Sequence, residues 1–249
     1  MKKAYYVWLR EIKRYLRSKP RIVGSLGMPL LFLFALGFGL NNLLNIEGTN
    51  YVEFILPGII AMTVLMNSMM SGVSVIWDKQ FGFMREMLVT PISRIELIIG
   101  KALGGGTTAV LQGILVLIIS LFLGIRIHSA AGILVALGFM IIIGITFSAL
   151  GLCFASFIDD LEAFPLIMNF VIMPLFFLSG ALFPIGGEHV PVLLKFVTRL
   201  NPLTYGVDAI RQALIGVSGV SLCIDAIVMV ALGTIFIALG SYLFKKIQM

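Results

Sequence analysis

Few residues in this chain could do chemistry, and nearly all of them lie outside its apolar stretches. The two histidines, His128 and His189, fall in connecting segments, and no HExxH pairs them with a general base for a zinc site. No membrane histidine stands ready to activate a serine, so the pattern of an intramembrane hydrolase is missing. Gly100-Lys101 is followed by Ala102, and no glycine stands five positions before Gly100, so the phosphate-cradling GxxxxGK[ST] loop is absent. The middle of each long apolar segment lacks Asp, Glu, Lys, Arg and His, with Asp225 only at the start of the last. Carriers driven by ions or protons generally need such a group inside the membrane. Uphill work would therefore have to be powered from another protein. The one sizeable internal charged surface that could receive it is the stretch 77–101, WDKQFGFMREMLVTPISRIELIIGK.

The elements that would hold this stretch are set by composition. Of 249 residues, 59% are hydrophobic and 12% charged, and the mean hydropathy is +1.07. A soluble domain carries about a quarter charged residues, so the chain reads as an integral membrane protein. Six apolar segments can be drawn, near 22–41, 54–77, 99–124, 130–157, 161–183 and 221–244. Each reaches the roughly 20 residues that a helix needs to cross a bilayer. Their apolar runs are continuous rather than alternating, which predicts helices and not a barrel. One membrane domain, 1–249, uses up the chain.

Of the 18 Lys and Arg residues, 14 fall on one side of this arrangement, which predicts that both termini are cytoplasmic. The short acidic loop 159–162, also assigned inside, dissents. The basic excess reads as topology signal and attraction to anionic lipid rather than nucleic-acid binding. The basic region runs to Arg21 and no small-residue cleavage site follows Leu40, so no signal peptide is expected. Cys153 and Cys223 form no disulfide framework and are expected to pack as small hydrophobes.

Within 77–101, helical spacing puts Phe81, Phe83, Met84, Met87 and Leu88 on one arc, Gly82 and Glu86 on the other, and Arg85 at the edge. Pro91 stops that helix, because the residue before a proline is pushed out of the α region. Ser93 with Glu96 three residues on is a capping box that starts the next helix. Residues 3–19 are expected to form a basic amphipathic helix, with Tyr5, Trp8, Leu9, Ile12 and Leu16 in the acyl boundary and Lys13, Arg14 and Arg17 facing water. It serves either as a topology anchor or as a contact for a partner.

In the second span Asn67, Ser68, Ser71 and Ser74 stand among Met62, Met66, Met69 and Met70. This stripe either lines a pathway or packs helix on helix. Gly100 and Gly104 in the third span, and Gly144 and Ser148 in the fourth, read as close-approach faces. The fifth span carries Pro165, Asn169 and Pro174 and ends at Ser179-Gly180 and Pro184. Residues 190–199 and 202–215 then read as two helices too short to span, the second capped by Asn201-Pro202 and closed at Gly216. Tyr205, Val207, Ile210 and Leu214 are expected on its apolar side, Asp208 and Arg211 on its polar side. The pair is either a re-entrant or interfacial hairpin forming an outer gate, or a plain surface loop.

FILPGIIAMTV at 54–64, FGFMREMLVTPISR at 81–94, LSGALFP at 178–184 and LNPLTYGVDAIRQALIG at 200–216 fall in the order found in a known family. On these stretches the chain resembles the permease subunit of type-2 ATP-binding-cassette exporters, near the drug-exporter and nodulation-factor branch. The short first outer loop separates it from the lipoprotein- and antibiotic-peptide-type relatives. The resemblance implies an all-α membrane protein of six spans, with an N-terminal interfacial helix (1–20), a cytoplasmic coupling helix between spans two and three (78–94), and short re-entrant helices between spans five and six (188–216).

It further implies a homodimer in the plasma (inner) membrane, served by two cytoplasmic ATPase chains. No cofactor is expected on this chain, ATP and Mg being held by the partner. Carried over by position, the ATPase-docking residues are Phe81, Gly82, Arg85, Glu86, Leu88, Pro91 and Arg94. Candidate pathway residues are Met66, Asn67, Met70, Ser71 and Asn169, and the candidate outer gate comprises Leu178, Phe183, Pro184, Asn201, Pro202 and Tyr205. The expected activity is export of an amphipathic drug, lipid or lipid-linked glycan, with no catalysis by this chain itself. The rivals are a passive six-span channel, which would need no partner, and a lipid-modifying membrane enzyme, which would need catalytic groups that the sequence lacks.

Overall fold

The computed structural model describes residues 2–40, 50–82, 93–125, 129–183, 191–217 and 219–246. All regular structure among them is helical. In chain order the helices are α1 (Lys2–Arg17), α2 (Lys19–Phe32, continued by a π-helical turn Leu33–Phe38), α3 (Tyr51–Met70) and α4 (Val73–Gln80). They continue as α5 (Arg94–Phe122), α6 (Ala130–Phe157), α7 (Ala163–Phe177), α8 (Val192–Leu200), α9 (Pro202–Ile215) and α10 (Leu222–Lys246). Five stretches of described helix are long and apolar enough to cross a membrane: Lys19–Gly37, Tyr51–Gln80, Ile95–Phe122, Ala130–Phe157 and Leu222–Phe244. This is a multi-pass, all-α membrane protein.

The fifth expected span is shorter than drawn. Its helix, α7, has 15 residues and ends where Ser179 and Gly180 turn the chain, Gly180 at a φ of +73°. At 1.5 Å per residue that is about 22 Å, less than the roughly 30 Å hydrocarbon core. The two short helices after it form at the expected places, as α8 and α9.

At the centre of the bundle stands α3, where Ile55, Leu56, Ile59, Ile60, Leu65 and Met69 are fully enclosed. It packs on α5, α6 and α9, with α2 and α7 lying more lightly against it. Helices α5 and α6 lie against each other, and α10 packs along α6. Small residues decide how closely these elements approach. The Ser71 hydroxyl, at the α3–α4 joint, bonds the Ser148 hydroxyl of α6 at 2.8 Å. Gly105 of α5 is pressed against both, leaving no room for a Cβ.

The N-terminal helix is part of the bundle. A Cβ on Gly100 would stand 2.7 Å from the Ala4 carbonyl, and one on Gly104 would stand 2.7 Å from the Glu11 Cβ, so this glycine face of α5 seats α1. Trp8 Nε1 donates to Thr107 Oγ1 at 3.0 Å, and Gln112 of α5 bonds the Tyr15 hydroxyl. Val7 and Tyr15 are buried by this packing, whereas Tyr5, Tyr6 and Leu16 stay exposed. Burial raises the Tyr15 pKa above its ordinary value.

Candidate functional site

Charge gathers at both ends of the bundle. At the end where α4 stops and α5 begins, Asp78 is the hub. Its Oδ2 accepts from Lys101 Nζ at 2.6 Å and from Arg10 Nη2 at 2.7 Å. Lys101 also donates to Ser74 Oγ at 3.1 Å and lies 3.5 Å from Glu11 Oε1, which in turn meets Arg10 at 3.4 Å. Among the described residues, two acids and two bases thus form a charge-balanced cluster shared by α1, α4 and α5. Lys101 is 1% exposed and Asp78 3%, so both charges depend on these partners. Burial alone would lower the Arg10 pKa, but the Asp78 and Glu11 carboxylates together outweigh it and hold the guanidinium above its ordinary value.

The next residue fixes the other flank of α4. Lys79 Nζ donates to the carbonyls of Ala155 and Ser156 at 3.0 and 3.1 Å, where α6 leaves its last carbonyls unpaired, and to Asp159 at 2.9 Å. Gln80 Nε2 adds a bond to the Asp159 carbonyl at 2.9 Å. A short helix of 8 residues is therefore tied to α1, α5 and the end of α6 just before the chain enters the expected docking stretch.

Of that stretch, Phe81 is exposed and stacks on Trp77 with ring centres 4.7 Å apart, and Gly82 turns the chain at a φ of +79°. Arg85, Glu86, Leu88 and Pro91 lie outside the described residues, and Arg94 opens α5. The capping box is present: the Ser93 hydroxyl accepts from the Glu96 N–H at 3.2 Å, and the Glu96 carboxylate accepts from the Ser93 N–H at 3.2 Å.

Met66, Asn67, Met70 and Ser71 are half-buried at the end of α3 nearest α4. Asn67 donates to the Thr63 carbonyl one turn back at 2.9 Å, and Ser71 takes part in the packing contact with α6. Asn169 stands apart from them, exposed on α7 beside Phe170.

At the opposite end, Asn201 is a hinge pin between elements. Its Oδ1 accepts from the Leu203 N–H at 3.0 Å, capping α9 with Pro202 at the first helical position, while its Nδ2 donates to the Leu175 carbonyl of α7 at 2.6 Å. The Tyr205 hydroxyl donates to the Arg199 carbonyl at 2.8 Å. Leu178 is half-buried, Phe183 is exposed, and Pro184 lies outside the described residues.

Arg211 departs from expectation. Val207, Ile210 and Leu214 are buried as expected, but Arg211 is buried too, at 8% exposure. It donates to the carbonyls of Gly180 and Ala181 at 3.0 and 3.3 Å and lies 4.1 Å over the Phe54 ring. Burial pushes its pKa down to about 10, which leaves it charged at neutral pH. Helix periodicity paired it with Asp208, but the turn after α7, some 30 residues earlier in the chain, supplies its partners. Asp78 and Lys101, counted as surface charges of the 77–101 stretch, are likewise interior. The spacing of Ser74 and Asp78, one turn apart on α4, was the available signal.

Comparison with known proteins defines the class. The model of the ABC-2 type transporter family matches residues 3–215, and the chain belongs to that family. The chain is 31% identical over 218 residues to the transport permease ycf38 of Cyanophora paradoxa, covering 83% of this chain and 72% of the relative. It is 28% identical over 222 residues to nodulation protein J of Rhizobium leguminosarum bv. viciae (88% and 84% of the two chains). With the inner membrane transport permease YadH of Escherichia coli K12 it shares 28% over 220 residues (87% and 84%). It is thus an ABC-2 family transport permease, the membrane subunit of an ABC transporter, and this family normally pairs with a cytoplasmic ATPase subunit.

Proposed function

We propose that the chain is the permease of an exporter that moves an amphipathic substrate outward across the inner (plasma) membrane. Two copies form a homodimer, both termini face the cytoplasm, and two copies of a separate ATPase dock on the stretch 81–94. Within it Arg85 and Glu86 contact the ATPase, Phe81 and Leu88 seat the helix, and Gly82, Pro91 and Arg94 complete the docking set. ATP-driven closure of the ATPases presses this element, and α4 passes the displacement into α1, α5 and α6. Substrate moves past Met66, Asn67, Met70, Ser71 and Asn169. It leaves by the gate formed from Leu178, Phe183, Pro184, Asn201, Pro202 and Tyr205.

The observation that carries this reading is the closed ion cluster at Asp78. It sits three residues before Phe81 and makes α4 a rigid link instead of a loose connection. Bistable switching needs such stiff elements between two packings, because a loose link would absorb the push. The test is co-purification: the tagged chain, solubilised from membranes, retains an ABC ATPase in equal number. A permease that purifies alone while supporting transport in vesicles without any ATPase would establish the passive-channel reading instead.

A further inference from the structure

At the end of the bundle where α3 and α10 begin, a cavity of about 530 Å³ is lined by Phe54, Ser179, Tyr205, Asp208, Arg211 and Asp225. This falls within the roughly 300–1,000 Å³ of pockets that hold small ligands. Its charged groups are unusual in what they lack. Asp225 is fully buried, yet among the described residues neither carboxylate oxygen has a hydrogen-bond partner. It lies in the first turn of α10, whose dipole favours a negative charge, but no N–H reaches it. Arg211 is held in place by the Gly180 and Ala181 carbonyls and the Phe54 ring, while its Nε–H is buried without an acceptor among the described residues. Among the described residues, Arg211 forms no ion pair. Asp208, by contrast, is satisfied by the N–H groups of Gly219 and Val220 at 2.8 to 3.0 Å.

A buried base and a buried acid therefore line one cavity without touching each other. Buried charges and polar groups call for a partner, and an explanation is owed wherever none is present in the protein. A group bearing both signs meets both requirements at once. The cavity also has an apolar side: Val217, Val220 and Ile224 line it, and Ile227 continues the exposed apolar strip along α10.

We propose that this cavity binds the zwitterionic head group of an amphiphile, with its ammonium on Asp225, its phosphate on Arg211 and its tail along Ile224 and Ile227. The site is a matter of binding and stands whether or not the chain exports the ligand.

The test is equilibrium binding to the purified full-length protein in detergent, using three probes with matched tails. These are phosphatidylethanolamine with both charges, phosphatidylglycerol with the phosphate alone, and an alkylammonium with the amine alone. The zwitterion is expected to bind at least about tenfold more tightly than either of the others, the weight of one charge-assisted hydrogen bond. Asp225→Asn, close in size, should lower phosphatidylethanolamine to the phosphatidylglycerol level and leave phosphatidylglycerol unchanged. Arg211→Gln should lower it to the alkylammonium level; if that variant does not fold, Asp225→Asn decides alone. Equal binding of the three probes, the result for a cavity that holds only water, would overturn the proposal. So would preference for the alkylammonium alone, or an Asp225→Asn variant that binds phosphatidylethanolamine as before.

Discussion

The two ends of this bundle handle buried charge in opposite ways. Where α4 meets α5, Asp78, Lys101, Arg10 and Glu11 neutralise one another within 3.5 Å. Where α9 meets α10, Arg211 leans on carbonyls and an aromatic ring, and Asp225 has no hydrogen-bond partner among the described residues. A closed cluster resists deformation, since moving any one member uncovers the charge of another. An open one leaves part of its interaction energy for something that arrives. The first is suited to carrying a displacement, the second to receiving a ligand.

The contrast can be broken most severely at its hub. Asp78→Asn removes the carboxylate that Lys101 and Arg10 share, leaving both to Glu11 alone and so stranding one positive charge beside a lysine that is 1% exposed. Losing one partner of a buried pair costs about 3–5 kcal/mol, so the variant should show a large drop in thermal stability in detergent. Adding Lys101→Met should recover part of it, because the stranded charge is then gone. Failure of the second substitution to recover anything would mean that the cluster is not the source of the loss.

Next in size is the seat of α1. Gly104→Leu drives a side chain into Glu11, where even a Cβ would sit at 2.7 Å, and overpacking of this kind costs about 1–3 kcal/mol. Exposure of Tyr15 to solvent, read by its fluorescence or chemical modification, should rise in parallel. Lys79→Ala should cost less, about 0.5–1.5 kcal/mol, because it removes hydrogen bonds to two carbonyls at the end of α6. Its ion pair with Asp159, which is 82% exposed, adds little, so Asp159→Asn should be nearly silent, as surface pairs usually are.

The smallest effect is expected at Asp225. Without ligand, Asp225→Asn should change stability by no more than about 1 kcal/mol, and a gain would be consistent, since it removes a buried acid that no described residue pairs. A loss as large as that of Asp78→Asn would show that the two ends are alike.

Much of this architecture is readable from local pattern. The capping box at Ser93 and Glu96, the Asn201-Pro202 start of α9 and the glycine face of α5 are governed by neighbours within a turn or two, and each stands where its sequence places it. The partners of the buried charges were not readable, for a physical reason. Asp78 and Lys101 are 23 residues apart on different helices, and Arg211 meets carbonyls about 30 residues away. Periodicity on α9 assigns Arg211 to the polar side with Asp208, and nothing local says that a neighbouring turn will close over it. The same holds for α7, whose length depends on where Gly180 turns the chain.

On the proposed function, force enters at the stretch joining α4 to α5. The most direct test is Glu86→Lys in the complex of permease and ATPase reconstituted in vesicles, with ATP hydrolysis and outward movement of a fluorescent amphiphile followed together. The variant is expected to insert normally and still hydrolyse ATP, but hydrolysis should no longer drive movement. Undiminished, ATP-driven export by Glu86→Lys would contradict this reading.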